Sequence, residues 1–309
     1  MIIVTGGSGF IGSNIVRELN LNGIEDVLIV DSPVNKEKNL NQLKFLDLID
    51  KDLFLKKLGS KRFSKNIKAI LHQGACTDTT QSNFSYLMKN NFEYSKSLLV
   101  SSSNDKFKLI YASSASVYGN NQLKKNTFNF EDPLNFYAIS KYLFDLFYLT
   151  NHKKIHNSVI GLRYFNVYGP GEDHKKRMAS PIFQFNKQIL KNNTIKVFEG
   201  SGGFGNGEQR RDYIYVNDIC KIIMKLLHVN KKGIYDLGSG TSSSFNQLAK
   251  KIIKYHNKGS IKYIDFPSDL VGKYQHYTKS NNDIIKLIKN FKFTSLSKGI
   301  SKYLKYLNA

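Results

Sequence analysis

A glycine-rich turn between an apolar run and a helical pattern limits what this chain can fold into more than any other stretch. Met1–Thr5 is continuous and apolar, and Thr5-Gly6-Gly7-Ser8-Gly9-Phe10-Ile11-Gly12 follows it. A helical pattern then runs from about Ile11 to Asn22. Glycines at 6, 9 and 12 let the backbone take positive φ, approach a pyrophosphate closely and pack helix on strand. The helix N-terminus offers free N–H groups and a partial positive charge to phosphates. Out of context such a triplet is also an ordinary tight turn. Here a strand precedes it, a helix follows it, and Asp31 stands about 20 residues on, which points to dinucleotide binding. Asp31 favours NAD, because its carboxylate accepts from a ribose 2′-hydroxyl and repels a 2′-phosphate. Lys36, Lys38 and Lys51 lie nearby in sequence and can neutralise a phosphate, so the residues alone leave NAD and NADP open.

Beyond the turn, strand-like and helical segments alternate, the pattern of an α/β fold with a doubly wound parallel sheet of Rossmann type. Strands are predicted at 26–31, Leu43–Leu48, Ala69–Ala75, Lys108–Ser113 and Ser158–Phe165, with helices over Phe84–Ser103 and from about Leu134 to Thr150. After Tyr168-Gly169-Pro170-Gly171 the rhythm breaks into longer connections rich in Gly, Asn and Lys. Strand-like segments lie near 196–199, 211–216 and 233–238, with short helices at about 244–257 and 295–307. The expected division is a dinucleotide-binding domain over 1–167 and a smaller α/β substrate domain over 168–309, with strands from about 211–238 able to return to the first.

The 309 residues carry a net charge of +22, which raises the question of nucleic acid. Only six basic residues are arginine (17, 62, 163, 177, 210 and 211), whereas a phosphate-clamping surface favours the bidentate guanidinium. The lysines are spread along the whole chain as on solvated faces, so no nucleic-acid partner is expected. Their excess still attracts anionic small molecules at long range. Hydrophobic residues make up 41%, enough for a core, and no apolar run approaches the ~18–20 residues of a membrane span. With no secretory leader in view and Cys76 and Cys220 reading as thiols, a soluble cytoplasmic protein without membrane attachment is expected.

Tyr137-x-x-x-Lys141 lies within a helical pattern, and positions four apart share a face, so phenol and ammonium can enter one site. A useful base there needs about three units of pKa lowering, or about 4 kcal/mol, which an adjacent ammonium and a cationic ring can supply. Ser114, in the serine cluster after a strand, is placed to hydrogen-bond the reacting oxygen. By itself the Tyr–Lys spacing arises easily by chance in a chain rich in both. The order glycine turn, serine after a strand, Tyr-x-x-x-Lys helix is what makes it informative. His, Cys, Asp and Glu show no metal-ligand spacing, and no metal is expected.

With these residues in view, the chain resembles the extended short-chain dehydrogenase/reductase family, and within it the branch that inverts the heptose of an ADP-heptose. The stretches that carry the likeness are MIIVTGGSGFIGSNIV at the start, HQGACTDTT (72–80), YASSASVYG (111–119), PLNFYAISK (133–141), GLRYFNVYGP (161–170) and the FP-x-x-L-x-G-x-Y-Q segment (266–275). The resemblance implies NADP as a tightly held cofactor, one per subunit, with NAD the lesser option. It implies NADP contacts at Phe10, Ile11, Asp31, Ser32, Lys38, Lys51, Gln73, Gly74, Ala75, Cys76, Thr77, Asn90, Lys141 and Val167. Tyr137 matches one acid/base and Lys175 the other; Asn166, Arg177, Gln184, Phe198, Glu199, Gly200, Ser201, Arg211 and Tyr274 match positions that bind substrate. A homopentamer and a role in supplying heptose for the inner core of lipopolysaccharide are likewise implied. Four positions depart from the pattern expected: Ser32 for Asn, Gln73 for Glu, Arg177 for Ser and Gln184 for His. An insertion around Gly205–Gln209 also lengthens the loop before Arg211.

Inverting a carbon that bears OH and H with no acidic neighbour is best done by oxidation to a ketone and reduction from the other face. The ketone oxygen then sits in two places, which calls for two proton-moving groups. From the residues alone Lys175 also reads as a solvated loop lysine or a diphosphate contact, and Arg211 beside Arg210 as a diphosphate ligand, the pair reading equally as one ligand contact and one surface charge. Rival readings are a nucleotide-sugar 4,6-dehydratase, which needs Asp-Glu where this chain has Ala115 and Ser116, a UDP-hexose 4-epimerase, and a non-catalytic dinucleotide-binding scaffold.

Overall fold

The computed structural model of the chain describes residues 1–32, 37–121 and 131–309; Lys36 lies outside them. In chain order its strands are β1 (Ile2–Thr5), β2 (Val27–Val30), β3 (Asp47–Ile49), β4 (Ala69–His72), β5 (Lys108–Ser114) and β6 (Val159–Tyr164). There follow β7 (Asn166–Tyr168), β8 (Thr194–Phe198), β9 (Arg210–Tyr215), β10 (Lys232–Leu237), β11 (Ser242–Ser244) and β12 (Ser260–Ile264). Seven of them form one parallel sheet in the order β10-β6-β5-β4-β1-β2-β3. Every residue of β1, β2, β4 and β6 is buried, which is why these strands read as continuous apolar runs: helices cover both faces. On one face the helices Phe10–Leu21 and Val216–Leu226 pack Ile15, Val16, Leu19, Ile219 and Ile223 against Val4, Ile29 and Ile160. Tyr94–Asp105 and Phe136–Asn151 pack Leu98, Phe144 and Tyr148 onto the other face against Ile3, Ile70 and Leu109. A third core lies under Pro181–Asn192, Phe245–His256 and Leu296–Leu307.

Several boundaries differ from expectation for physical reasons. The strand predicted over Leu43–Leu48 forms only at Asp47–Ile49, because Leu43 and Phe45 cover the core edge from irregular chain. The helix predicted over Phe84–Ser103 is interrupted by a π-helical stretch, Met88–Glu93, with Asn91 fully buried inside it. Of the later segments, 233–238 returns to the main sheet as β10, beside β6. The 211–216 segment does not: β9 pairs with β7 and β11 in a separate three-stranded sheet. Asp212 fixes it there, its carboxylate accepting from the N–H groups of Ser239, Gly240 and Ser280. β7 straddles residue 167, and β8 with β12 makes a two-stranded parallel pair. Lys51–Leu58, Pro181–Asn192 and Val216–Leu226 are helices that the sequence reading passed over. Among the described residues no helix is long and apolar enough to cross a membrane, and no group of His, Cys, Asp and Glu is placed to hold a metal ion.

Candidate active site

From β1 the chain steps outward to β2 and β3 on one side, and β4, β5 and β6 lie on the other. The crevice at such a reversal, beyond the strand ends, is where dinucleotides bind in open α/β sheets. Two adjoining cavities of about 240 and 340 Å³ open there, both lined by Gly6, Asp31, Gly74, Ala75 and Cys76. The first adds Ser32, Lys51 and Asn90; the second adds Gly9, Phe10, Ile11, Gly12, Gln73, Thr77 and Lys175.

The glycine turn is built for close approach. Gly6 has φ +67°, and a Cβ on Gly12 would stand 2.1 Å from the Gly6 carbonyl oxygen. No side chain caps the helix Phe10–Leu21, so its first N–H groups face the cleft. Gln73 adds a buried Nε2 with no hydrogen-bond partner while its Oε1 accepts from Tyr164, and an acceptor in the cleft would satisfy it. These features fit a bound pyrophosphate-containing dinucleotide. Asp31 turns its carboxylate inward, accepting from Ser8 Oγ, from Ser8 N–H at 3.1 Å and from Ser32 N–H at 2.7 Å. Lys51 donates to Asn90 Oδ1, and Lys38 forms an ion pair with Asp173 at 3.1 Å. Cys76 is held by its backbone: Asn91 accepts from its N–H at 2.8 Å and donates to its carbonyl at 3.0 Å. Val167 lies in β7, packed at the edge of the main core.

Tyr137 and Lys141 lie on one face of the helix Phe136–Asn151, whose start is capped by Asn135 accepting from Ala138 N–H. The Tyr137 phenol lies beside Ser114 at the end of β5, whose hydroxyl accepts from Ser116; burial pushes the phenol's pKa up and the serine pulls it back. Lys141 is buried and donates to the Ala112 carbonyl at 2.8 Å. Desolvation brings its ammonium down to about 8, against the opposing pull of Asp145. Beneath it His72 spans Thr5 Oγ1 at 2.6 Å and Ser95 Oγ at 2.8 Å, and burial with the nearby ammonium takes its ring down to about 3.

Lys175 enters from a different segment, the 3₁₀ stretch Asp173–Met178, with its Nζ 5.7 Å above the Phe10 ring. It is half-buried, and desolvation lowers its pKa against the pull of Glu172. No hydrogen bond joins Lys175 to Tyr137. The segment is strapped across the cleft: Asn14 donates to Pro170 at 2.8 Å, and Asn39 donates to Ser8 at 3.1 Å and Gly171 at 3.2 Å. Arg177 reaches Thr80 and Asp78, and Gln184 donates to the Lys176 carbonyl at 2.6 Å, so both residues hold the strap.

Of the remaining substrate-matched residues, Phe198, Ser201, Arg211 and Tyr274 meet in an aromatic cluster around Phe266 and His276. Arg211 is buried with its guanidinium 4.7 Å from the Tyr274 ring; Tyr274 packs on Phe266 at 5.2 Å, and Phe266 on Phe198 at 5.7 Å. Ser201 meets His276 at 3.2 Å, Gly200 N–H donates to Asn206 Oδ1, and Glu199 is exposed. Arg210 turns away to the Ser242 carbonyl. Asn166 in β7 accepts from Thr278 at 3.5 Å, in the strand beside Arg211. The sequence reading missed Asn39, His72, Asn91, Asp145 and Glu172. Only Asp145 had a local signal, one helical turn beyond Lys141.

Fold and cleft together define a nicotinamide-dinucleotide enzyme of Rossmann type. The profile of the NAD dependent epimerase/dehydratase family matches residues 2–238, and the chain belongs to that family. It is 46% identical over 316 aligned positions to the ADP-L-glycero-D-manno-heptose-6-epimerase of Brachyspira hyodysenteriae, covering 99% of this chain and 98% of that protein. The protein of the same name from Alkalilimnicola ehrlichii is 41% identical, covering 98% and 96%. Among solved structures, the ADP-L-glycero-D-manno-heptose-6-epimerase of Helicobacter pylori superposes with a TM-score of 0.86 at 31% identity, over 100% of this chain and 96% of that one.

Proposed function

We propose that the protein interconverts ADP-D-glycero-β-D-manno-heptose and ADP-L-glycero-β-D-manno-heptose by inverting C6″, with NADP as its resident cofactor. Near-full-length likeness to two proteins named for that epimerisation carries the reading. When bound in the glycine-turn cleft, the cofactor would supply reversible hydride transfer at C6″. Tyr137 holds the proton of the C6″ oxygen in one placement of the sugar, with Ser114 orienting that oxygen and Lys141 supplying positive charge one turn along the helix. Lys175, half-buried on its strap, handles the proton when the oxygen lies in the second placement. Arg211, Tyr274 and Phe198–Ser201 hold the nucleotide end. NADP is favoured over NAD because Asp31 engages Ser8 and Ser32 rather than standing open against a 2′-phosphate, while Lys51 borders the cleft and Lys38 lies beside it. The family resemblance also implies a homopentamer, which light scattering of the purified protein tests.

Deuterium at C6″ tests the chemistry: it stays on the product carbon, and its loss to solvent would overturn the scheme. Tyr137→Phe and Lys175→Met each lower epimerisation by about 10²–10⁴-fold. Full two-way activity in Lys175→Met would remove the second proton-moving group. The dehydratase reading lacks acidic groups at Ala115 and Ser116, which follow Ser114 in a 3₁₀ turn.

A further inference from the structure

Behind the Tyr137 helix lies a buried carboxylate that the chemistry above leaves unused. Asp145 stands four residues beyond Lys141 on the same face and is fully buried. Three groups from two strands converge on it: Tyr111 Oη donates to Oδ1 at 3.1 Å, Ser113 Oγ to Oδ2 at 2.8 Å, and Arg163 Nε to Oδ2 at 3.0 Å. Arg163 also reaches Glu131 at 2.7 Å and stacks 4.8 Å from the Tyr118 ring, whose hydroxyl donates to Asp236 at 2.6 Å. Tyr111 and Ser113 belong to β5, the strand that ends in Ser114; Arg163 belongs to β6. One carboxylate thus ties the helix bearing Tyr137 and Lys141 to the strand bearing their serine partner.

We propose that Asp145 is a positioning residue for the reaction: clamped by Tyr111, Ser113 and Arg163, it sets the register of the Tyr137–Lys141 helix against Ser114 and holds the Lys141 ammonium charged. The proposal rests on the reading of Tyr137 and Lys141 as reaction residues. Hydrogen bonds placed only to close a core would not need an ion. A buried carboxylate with its own arginine is retained at considerable desolvation cost, and the cation one turn away gains from its field. Among the described residues, the charged and titratable groups near Lys141 or on its carboxylate include Tyr137 and Asp145 on its own helix, His72 from β4, Cys76 from the following loop, Tyr111 from β5 and Arg163 from β6. His72 stays neutral, and Cys76 and Asp145 both favour the ammonium. Desolvation raises the pKa of Asp145, and Arg163, Ser113 and Tyr111 oppose that rise.

The test follows Lys141 itself. Competitive acylation of the full-length protein with a small amine reagent, read peptide by peptide by mass spectrometry against pH, gives its midpoint without substrate. Wild-type protein titrates near 8, the Asp145→Asn midpoint falls by about one unit, and Asp145→Glu restores it. Epimerisation by Asp145→Asn then fails earlier on the alkaline side, in kcat rather than KM. An unmoved midpoint in Asp145→Asn overturns the proposal. Should that variant not fold, Asp145→Ser carries the same measurement, and an unmoved Lys141 midpoint there overturns the proposal. Wild-type protein that titrates as stated yet leaves ADP-heptose untouched refutes the substrate reading instead.

Discussion

His72 shows how a single buried ring couples the cleft to pH. Its hydrogen bonds to Thr5 and Ser95 tie β1, β4 and the helix Tyr94–Asp105 together, and it remains neutral down to about 3. In the unfolded chain it titrates near 6.5, so between these values the unfolded state binds more protons and stability falls as pH falls. Between pH 7 and pH 5 the loss from this group is about 2 kcal/mol. Chemical denaturation at the two pH values should show His72→Asn losing that much less than the wild type over the same interval, even though it starts from lower stability. Gly12→Ala acts by collision rather than charge: its methyl would meet the Gly6 carbonyl, and backbone cannot step aside. A loss of about 1–3 kcal/mol is expected by thermal melting, together with loss of the nucleotide released on denaturation. Gly12, Tyr137 and Lys141 were legible because their meaning lies in local spacing. Asn39 and Asn91 were not, since each acquires its role from partners far along the chain, as when Asn39 meets Gly171.

At the scale of elements, the strap over Asp173–Met178 carries a strained joint. Lys176, next to Lys175, has φ 48° and ψ −119°, a region that favours glycine. Its carbonyl is held by Gln184 at 2.6 Å and by Ala179 N–H at 3.2 Å, which keeps the turn in place. Relieving about 1–3 kcal/mol of strain outweighs the added freedom of an unfolded glycine. Lys176→Gly should therefore gain about 1 kcal/mol, or about 2 °C in Tm by differential scanning calorimetry. Nothing in the composition of His174-Lys175-Lys176 announces this geometry. Helix-forming periodicity did announce Phe136–Asn151 and Phe245–His256 to within a residue or two. It failed at Met88–Glu93, where the buried Asn91 side chain serves the Cys76 backbone instead of the helix.

For the molecule as a whole, the net charge of +22 sets how anionic substrates arrive. Attraction of this kind is screened by salt, so kcat/KM for the nucleotide sugar should fall about fivefold between ~0.02 and ~0.3 M salt, with kcat nearly constant. Stopped-flow and steady-state assays in sodium chloride check this, and a flat response would assign the lysines to solvation alone. The alternation of strands and helices made the parallel sheet readable up to β6. The placement of β9 was not readable, because Arg210–Tyr215 has the pattern of a strand but gives no sign of which sheet will accept it. β10 pairs with β6 although the whole stretch from Phe165 to Lys231 separates them. During synthesis, then, the outer edge of β6 emerges with its amides unsatisfied and stays so while nearly seventy further residues are added. A ribosome that stalls in this interval leaves a sticky, half-finished product, so the last strand of the sheet also protects the newborn chain from aggregation.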